Sequence, residues 1–238
     1  MIPRPDLPAF NATPRGVTAF DSALGRNIGG SWGTIATLAS VDGTATHPMP
    51  RMLYGPNVAV RDLADAVHAL CALHGRHPGV IDHAAEHNHQ PAAQDWLEEA
   101  AAAFTEERTY LAHLTAAAGP LPSTPGQAES EAAISGQRHA LDMLAQSDRT
   151  GCATGAAIAL VLDWAAIRVM LDAAARRFGI EPPPSHLSDE METASLVSAL
   201  AETPAIERAM AFGAQQILAQ HRGLWDLLEA RASARNHQ

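Results

Sequence analysis

The run GCATGAAIALVLDWAAIRVML, from Gly151 to Leu171, constrains this chain more than any other feature. Its apolar residues fall on every side of a helical wheel, so a helix here has no face that prefers water. Two charged residues, Asp163 and Arg168, interrupt it, and a membrane span would resist both. The segment therefore predicts a central core helix that the remaining elements must surround.

The remainder supplies helices to do so. Aromatic residues are 5% of the 238 residues and alanine is abundant, which favours close-packed helices over strands. In NVAVRDLADAVHALCALHG, Val60, Leu63, Val67, Leu70 and His74 share one face, with a stop at Gly75. Residues 79–88 predict a short helix. A long one begins near Pro91 and ends before Gly119-Pro120. In STPGQ, Thr124 and Gln127 fit a capping box, in which their side chains satisfy free amides. The next helix runs to about Gln146. The central helix spans roughly Thr150 to Arg177 and ends near Gly179. Helices following Ser188 and Thr203-Pro204 complete the set, the last reaching about Arg231. The expectation is an all-α antiparallel bundle of about seven helices over residues 57–238. Residues 1–56, rich in Pro, Gly, Ser and Thr, predict an irregular segment with a short hairpin at Asp42-Gly43.

The strings LHGRHPGVIDHA, STPGQAESEAA and GAQQILAQHRGLWDLLEAR resemble an uncharacterised helical family of sphingomonad-type alphaproteobacteria. The likeness covers most of the chain from about Asn57 and implies no activity.

Charge narrows the function. The formal net charge is −10, which argues against nucleic acid and against an anionic membrane as partners. The chain contains no lysine, which excludes a lysine Schiff base or phosphate-loop lysine. Cys71 and Cys152 both lie in apolar helical patterns and read as free thiols of a reducing compartment. The start, MIPRPDLPAF, lacks a basic stretch followed by an apolar one, so no signal peptide is expected. These features together predict a cytoplasmic protein.

Two groups of residues offer metal chemistry. In HGRHPGVIDHAAEHNH, His74 to His89, five of sixteen residues are histidine. His83, Glu86 and His87 form H-x-x-E-H, whose histidines share a helix face about 6 Å apart. That string matches the pattern of inverted zinc proteases, although this chain lacks the strands of their fold. Glu86 and His89 form a single E-x-x-H, where di-iron bundles need two. The other group faces inward from the long helices: Glu107, Asp163, Glu207 and His221. Buried charges must be paired, hydrogen-bonded or metal-bound. Inward carboxylates and histidines are also how ferritin-like bundles hold metal. Glu207 and His221 are about 21 Å apart along one helix, however, so they cannot share an ion. A pairing of Asp163 with Arg138 is the structural alternative.

Three functional expectations follow. One is a helical-bundle protein acting through protein contacts, as a homodimer or with another chain. The alternative is a ferritin-like metal-binding or redox protein using Fe, Mn or Zn on Glu107, Asp163, Glu207 and His221. With twelve histidines, a response to pH is a third.

Overall fold

A computed structural model describes residues 30–236, apart from 122, 125, 201 and 202. Every regular element among them is helical. The α-helices are α1 (Ser31–Asp42), α2 (Pro48–Leu53), α3 (Val60–His74), α4 (Val80–Glu86), α5 (Gln94–Ala118), α6 (Gln127–Ala145), α7 (Cys152–Arg177), α8 (Glu190–Leu200) and α9 (Pro204–Asn236). Single 3-10 turns stand at Thr44–Thr46 and Pro91–Ala93.

Helix α7 is the predicted apolar run, and it lies at the centre. It packs on α1 to α6 and on α9, most extensively on α9. By length and composition it could cross a membrane, yet 83% of its most apolar window is buried by the other elements. Its end is a Schellman motif. Gly179 adopts φ 76°, the Ile180 amide donates to the Ala175 carbonyl, and the Gly179 amide donates to that of Arg176. The apolar stripe of α9 is buried as its periodicity predicts, with Met210, Ala214, Ile217, Leu218, Trp225 and Leu228 all at 1% exposure or less.

The hairpin at Asp42-Gly43 does not form. Ser31–Asp42 is helical, because Trp32, Ile35, Ala36 and Ala39 recur at helical spacing and bury together. That apolar face packs on α9. Helices α1 and α2 share the one core cluster with the later helices, so order extends well before residue 57. Residues 1–29 of the expected irregular segment lie outside the described residues. The capping box is also absent. Helix α6 starts after Gly126, at φ 75° and without a side-chain cap. Thr124 Oγ1 accepts instead from Arg235 and Gln127 Oε1 from Arg231. Charged donors on α9 thus took the groups that a cap would have used.

Helices α7 and α9 meet backbone to backbone. A Cβ on Gly155 would stand 2.1 Å from the Met210 carbonyl oxygen, and one on Gly213 would stand 2.0 Å from that of Cys152. Neither obstacle is a flexible side chain. We predict that Gly213→Ala destabilises the protein by roughly 1–3 kcal/mol through overpacking. Its better helix propensity, about 1 kcal/mol, points the other way. Urea unfolding decides, and a variant as stable as the parent would show that the crossing has room to spare.

Candidate functional site

Asp163 is the carboxylate that the central helix must accommodate, and it is 4% exposed. Three donors meet it. The Thr44 amide donates to Oδ1 at 2.7 Å, the Thr44 hydroxyl to Oδ2 at 2.6 Å, and His221 Nδ1 to Oδ2 at 2.6 Å. Directions follow from the donors. An indole nitrogen only donates, so Trp225 Nε1 donates to Thr44 Oγ1 at 2.9 Å, and the Thr44 proton points to the carboxylate. An ionised Asp163 accepts from all three. His221 therefore carries its proton on Nδ1.

That tautomer propagates outward. His221 Nε2 lies 2.9 Å from His74 Nε2. In the neutral His221 ring Nε2 is an acceptor, so His74 donates from Nε2 and keeps a lone pair on Nδ1. Among the described residues no hydrogen bond engages that Nδ1. His74, the last residue of α3, stands edge-on to Trp164 and Phe104, which fix its ring. The pKa of His74 lies well below 6.5, because burial disfavours its charge and His221 and Arg108 add repulsion.

His74 borders a cavity of about 260 Å³ between α3, α4 and α6. Arg76, His77, His83, Arg138 and Asp142 are among its other walls. The chain Asp163–His221–His74 thus runs from the core to an accessible pocket.

The other buried charges are closed pairs. Glu107 receives both hydrogen bonds of Arg168 Nη1, the Trp164 indole at 3.0 Å and the Ser185 hydroxyl at 2.7 Å. Arg168 also donates to Asp172 and to the Pro183 carbonyl. Burial lowers the Arg168 pKa, but Glu107 and Asp172 outweigh it and the net direction is upward. A cavity of about 320 Å³ lies over this group, bordered by Tyr110 and His113. Tyr110 is itself bonded to the Leu171 carbonyl and to Asp172. On α3, Asp65 and Asp62 pair with Arg231 and Arg235 of α9. Asp82 pairs with Arg108 and accepts from the Gly79 amide at the start of α4.

The inward residues singled out in the sequence therefore separate. Asp163 and His221 meet; Glu107 sits in the arginine cluster; Glu207 is half-buried in the first turn of α9. Among the described residues, the sets of three or more possible ligands within 4.8 Å are His83–Glu86–His87 and His47–Asp226–Glu229. The four long-helix residues thus lack a common centre, whereas the H-x-x-E-H residues come together. His83 Nδ1 is buried without a partner, and His87 Nδ1 lies 3.2 Å from the His83 carbonyl oxygen. Asp163 pairs with His221 and Thr44, not with Arg138 as the sequence allowed. His74, Thr44 and Trp225 are the site residues that the sequence did not single out. The available signal was a histidine on the apolar stripe of each of two helices.

Residues 39–236 match the model of a family described as a family of unknown function (DUF6975). Neither a curated protein nor a solved structure matches the chain.

The depressed pKa of His74 makes stability depend on pH. Below about 6.5 the unfolded chain protonates this residue and the folded chain resists, so stability is full above 6.5 and falls as pH drops through that range. Each pH unit costs up to about 1.4 kcal/mol. We predict that His74→Gln, which keeps a hydrogen-bonding group but does not titrate, flattens the loss between pH 6.5 and 5 in urea unfolding. An unchanged slope would place the acid sensitivity elsewhere.

Proposed function

We propose that this chain, which belongs to the DUF6975 family of unknown function, performs acid–base chemistry on a small ligand beside His74. One observation carries the reading: a buried carboxylate orients a histidine, which orients a second histidine that borders a pocket and has one ring nitrogen outside this chain of hydrogen bonds. Positioned bases are built this way, with the base held in one tautomer by a third group.

The proton movement balances. His74 Nδ1 takes a proton from the ligand while the Nε2 proton of His74 passes to His221 Nε2. Neutral His74 is regenerated as its other tautomer, and the positive charge rests on His221 against the Asp163 carboxylate. Return of the proton reverses both transfers. The low pKa of His74 suits this, because the residue stays neutral and available at pH 7.

A second reading is favoured by the approach of His83, Glu86 and His87 within 4.8 Å. Two histidines and a carboxylate are the protein ligands of open zinc sites. The expectation of a protein-contact role, as a homodimer or with another chain, is carried by no comparable arrangement, so the pocket takes precedence.

Two measurements test these readings. With p-nitrophenyl acetate at pH 8, His74 Nδ1 should attack the carbonyl, release p-nitrophenolate and pass its Nε2 proton to His221. Peptide mass spectrometry should find His74 acetylated sooner than the exposed His113 and His139. Asp163→Asn should slow this by about 100-fold, the low end for a positioned base. Labelling no faster than at the exposed histidines would remove the acid–base reading, whether or not Asp163→Asn folds. For the metal reading, tag-free protein dialysed against zinc should retain about one equivalent by elemental analysis, lost in His87→Ala. Retention below about a tenth of an equivalent would exclude it.

A further inference from the structure

We propose that the ligand of the His74 pocket is a small oxyanion, a carboxylate or a phosphate, held by Arg138 and bound together with one proton. This rests on the reading of His74 as the proton acceptor, and it adds the class of ligand.

The first observation is an imbalance of charge. The whole chain carries −10, yet the pocket wall sets the guanidinium groups of Arg76 and Arg138 against the single carboxylate of Asp142. An acidic protein that gathers cationic groups around one cavity has concentrated its positive potential there.

The second observation concerns Arg138 itself. The buried and half-buried arginines near the core each hold a carboxylate: Arg108 has Asp82, Arg168 has Glu107 and Asp172, Arg231 has Asp65, and Arg235 has Asp62 and Asp65. Arg138 is half-buried too, and among the described residues it pairs with no acid. Asp142, one turn along α6, makes no ion pair with it. A half-buried guanidinium without an acidic partner keeps its donors available to a ligand. A carboxylate or phosphate supplies the matching fork of two acceptor oxygens.

The third observation joins the anion to the proton. The charged form of His74 is opposed by burial, by His221 and by Arg108. His77 and His83 approach the pocket from the α3–α4 turn and α4, and Arg138 and Asp142 from α6. Behind His74, Asp163 lies beyond His221, Glu107 is held by Arg168 and the Trp164 indole, and Asp82 is paired with Arg108. An anion in the pocket supplies the missing negative charge on the other side. Anion binding therefore favours uptake of a proton by the His74–His221 pair, and by linkage a lower pH tightens anion binding. The proton comes from solvent, enters at His74 Nδ1 and leaves its charge on His221.

Calorimetric titration of the full chain tests this with succinate and with sulfate, which carries the phosphate shape without titrating. Both are run at pH 7.5 in two cationic buffers of different ionisation enthalpy, with neutral succinamide as control. We expect saturable binding of an anion, no binding of succinamide, and a net uptake of protons, read from the difference between the two buffers' heats. Preference for succinate or sulfate distinguishes a carboxylate from a phosphate ligand. Arg138→Gln should weaken binding tenfold or more while its thermal melt stays near that of the parent. Arg76→Gln, at the rim, should weaken it less. His74→Gln should bind the anion with almost no proton uptake. Absence of saturable binding, equal binding by Arg138→Gln, or equal affinity for succinamide would overturn the oxyanion assignment. Binding by Arg138 with no proton uptake in the parent would leave the oxyanion site standing and remove the His74 reading beneath it.

Discussion

A carboxylate buried in the most apolar helix of a protein must be met by donors or neutralised, because an unpaired buried charge costs several kcal/mol. Asp163 imposes that condition on the fold. Its two oxygens draw in the turn after α1, through the amide and hydroxyl of Thr44, and they draw in α9, through His221. Close approach of the turn needs a residue without a side chain just before it. A Cβ on Gly43 would stand 2.8 Å from Asp163 Oδ1 and 2.2 Å from the Ala39 carbonyl oxygen. Trp225 then closes the outer side by donating to Thr44. Two chain-distant segments are thus registered against the central helix by one charge.

The other buried charges do a different job. Glu107 with Arg168, Asp62 and Asp65 with Arg231 and Arg235, and Asp82 with Arg108 all match a carboxylate to a guanidinium. A guanidinium does not lose its proton near neutral pH, so these pairs stay ionic and fasten segments. The first holds the stretch after α7, the second joins α3 to α9, and the third anchors the start of α4. At Asp163 the counterpart is imidazole. Its proton has two nitrogens to occupy and a second ring to pass through. That difference in the cationic partner sets the Asp163 network apart from these three pairings.

Much of the helical frame was legible because periodicity reports burial directly. The central run, the stripe of α9 and the stop at Gly179 all follow from local pattern. The misreadings share a cause. The segment from Ser31 to Asp42 has Thr, Ser and Gly in helix-neutral positions, and its helical state comes from burying Trp32 and Ile35 on α9, which no local rule supplies. Thr124 and Gln127 had the chemistry of a cap, but arginines more than a hundred residues away reached them first. At the site, inward Asp163 and inward His221 were both readable from helical wheels. Their meeting was not, because it depends on where two helices cross. Thr44 lies in a turn with no periodicity to mark it. Arg138 was readable as a possible partner of Asp163; only the packing of α6 shows that it borders a pocket and that His221 took the place beside Asp163.

The order of the two histidines bears on how strong a base the pocket can present. Had His74 touched Asp163 directly, the charge formed on protonation would lie next to the ligand. Here the His74 and His221 rings are 5.0 Å apart, and Asp163 lies on the far side of His221. A proton gained at the pocket is converted into charge one ring deeper, opposite the carboxylate. Asp163 and its three donors, which are fixed in the core, then stand opposite that charge. The ligand meets a neutral imidazole in both states. The relay thereby separates two requirements that conflict in a single residue: a base strong enough to accept a proton, and a pocket whose charge is left to Arg138 and its neighbours.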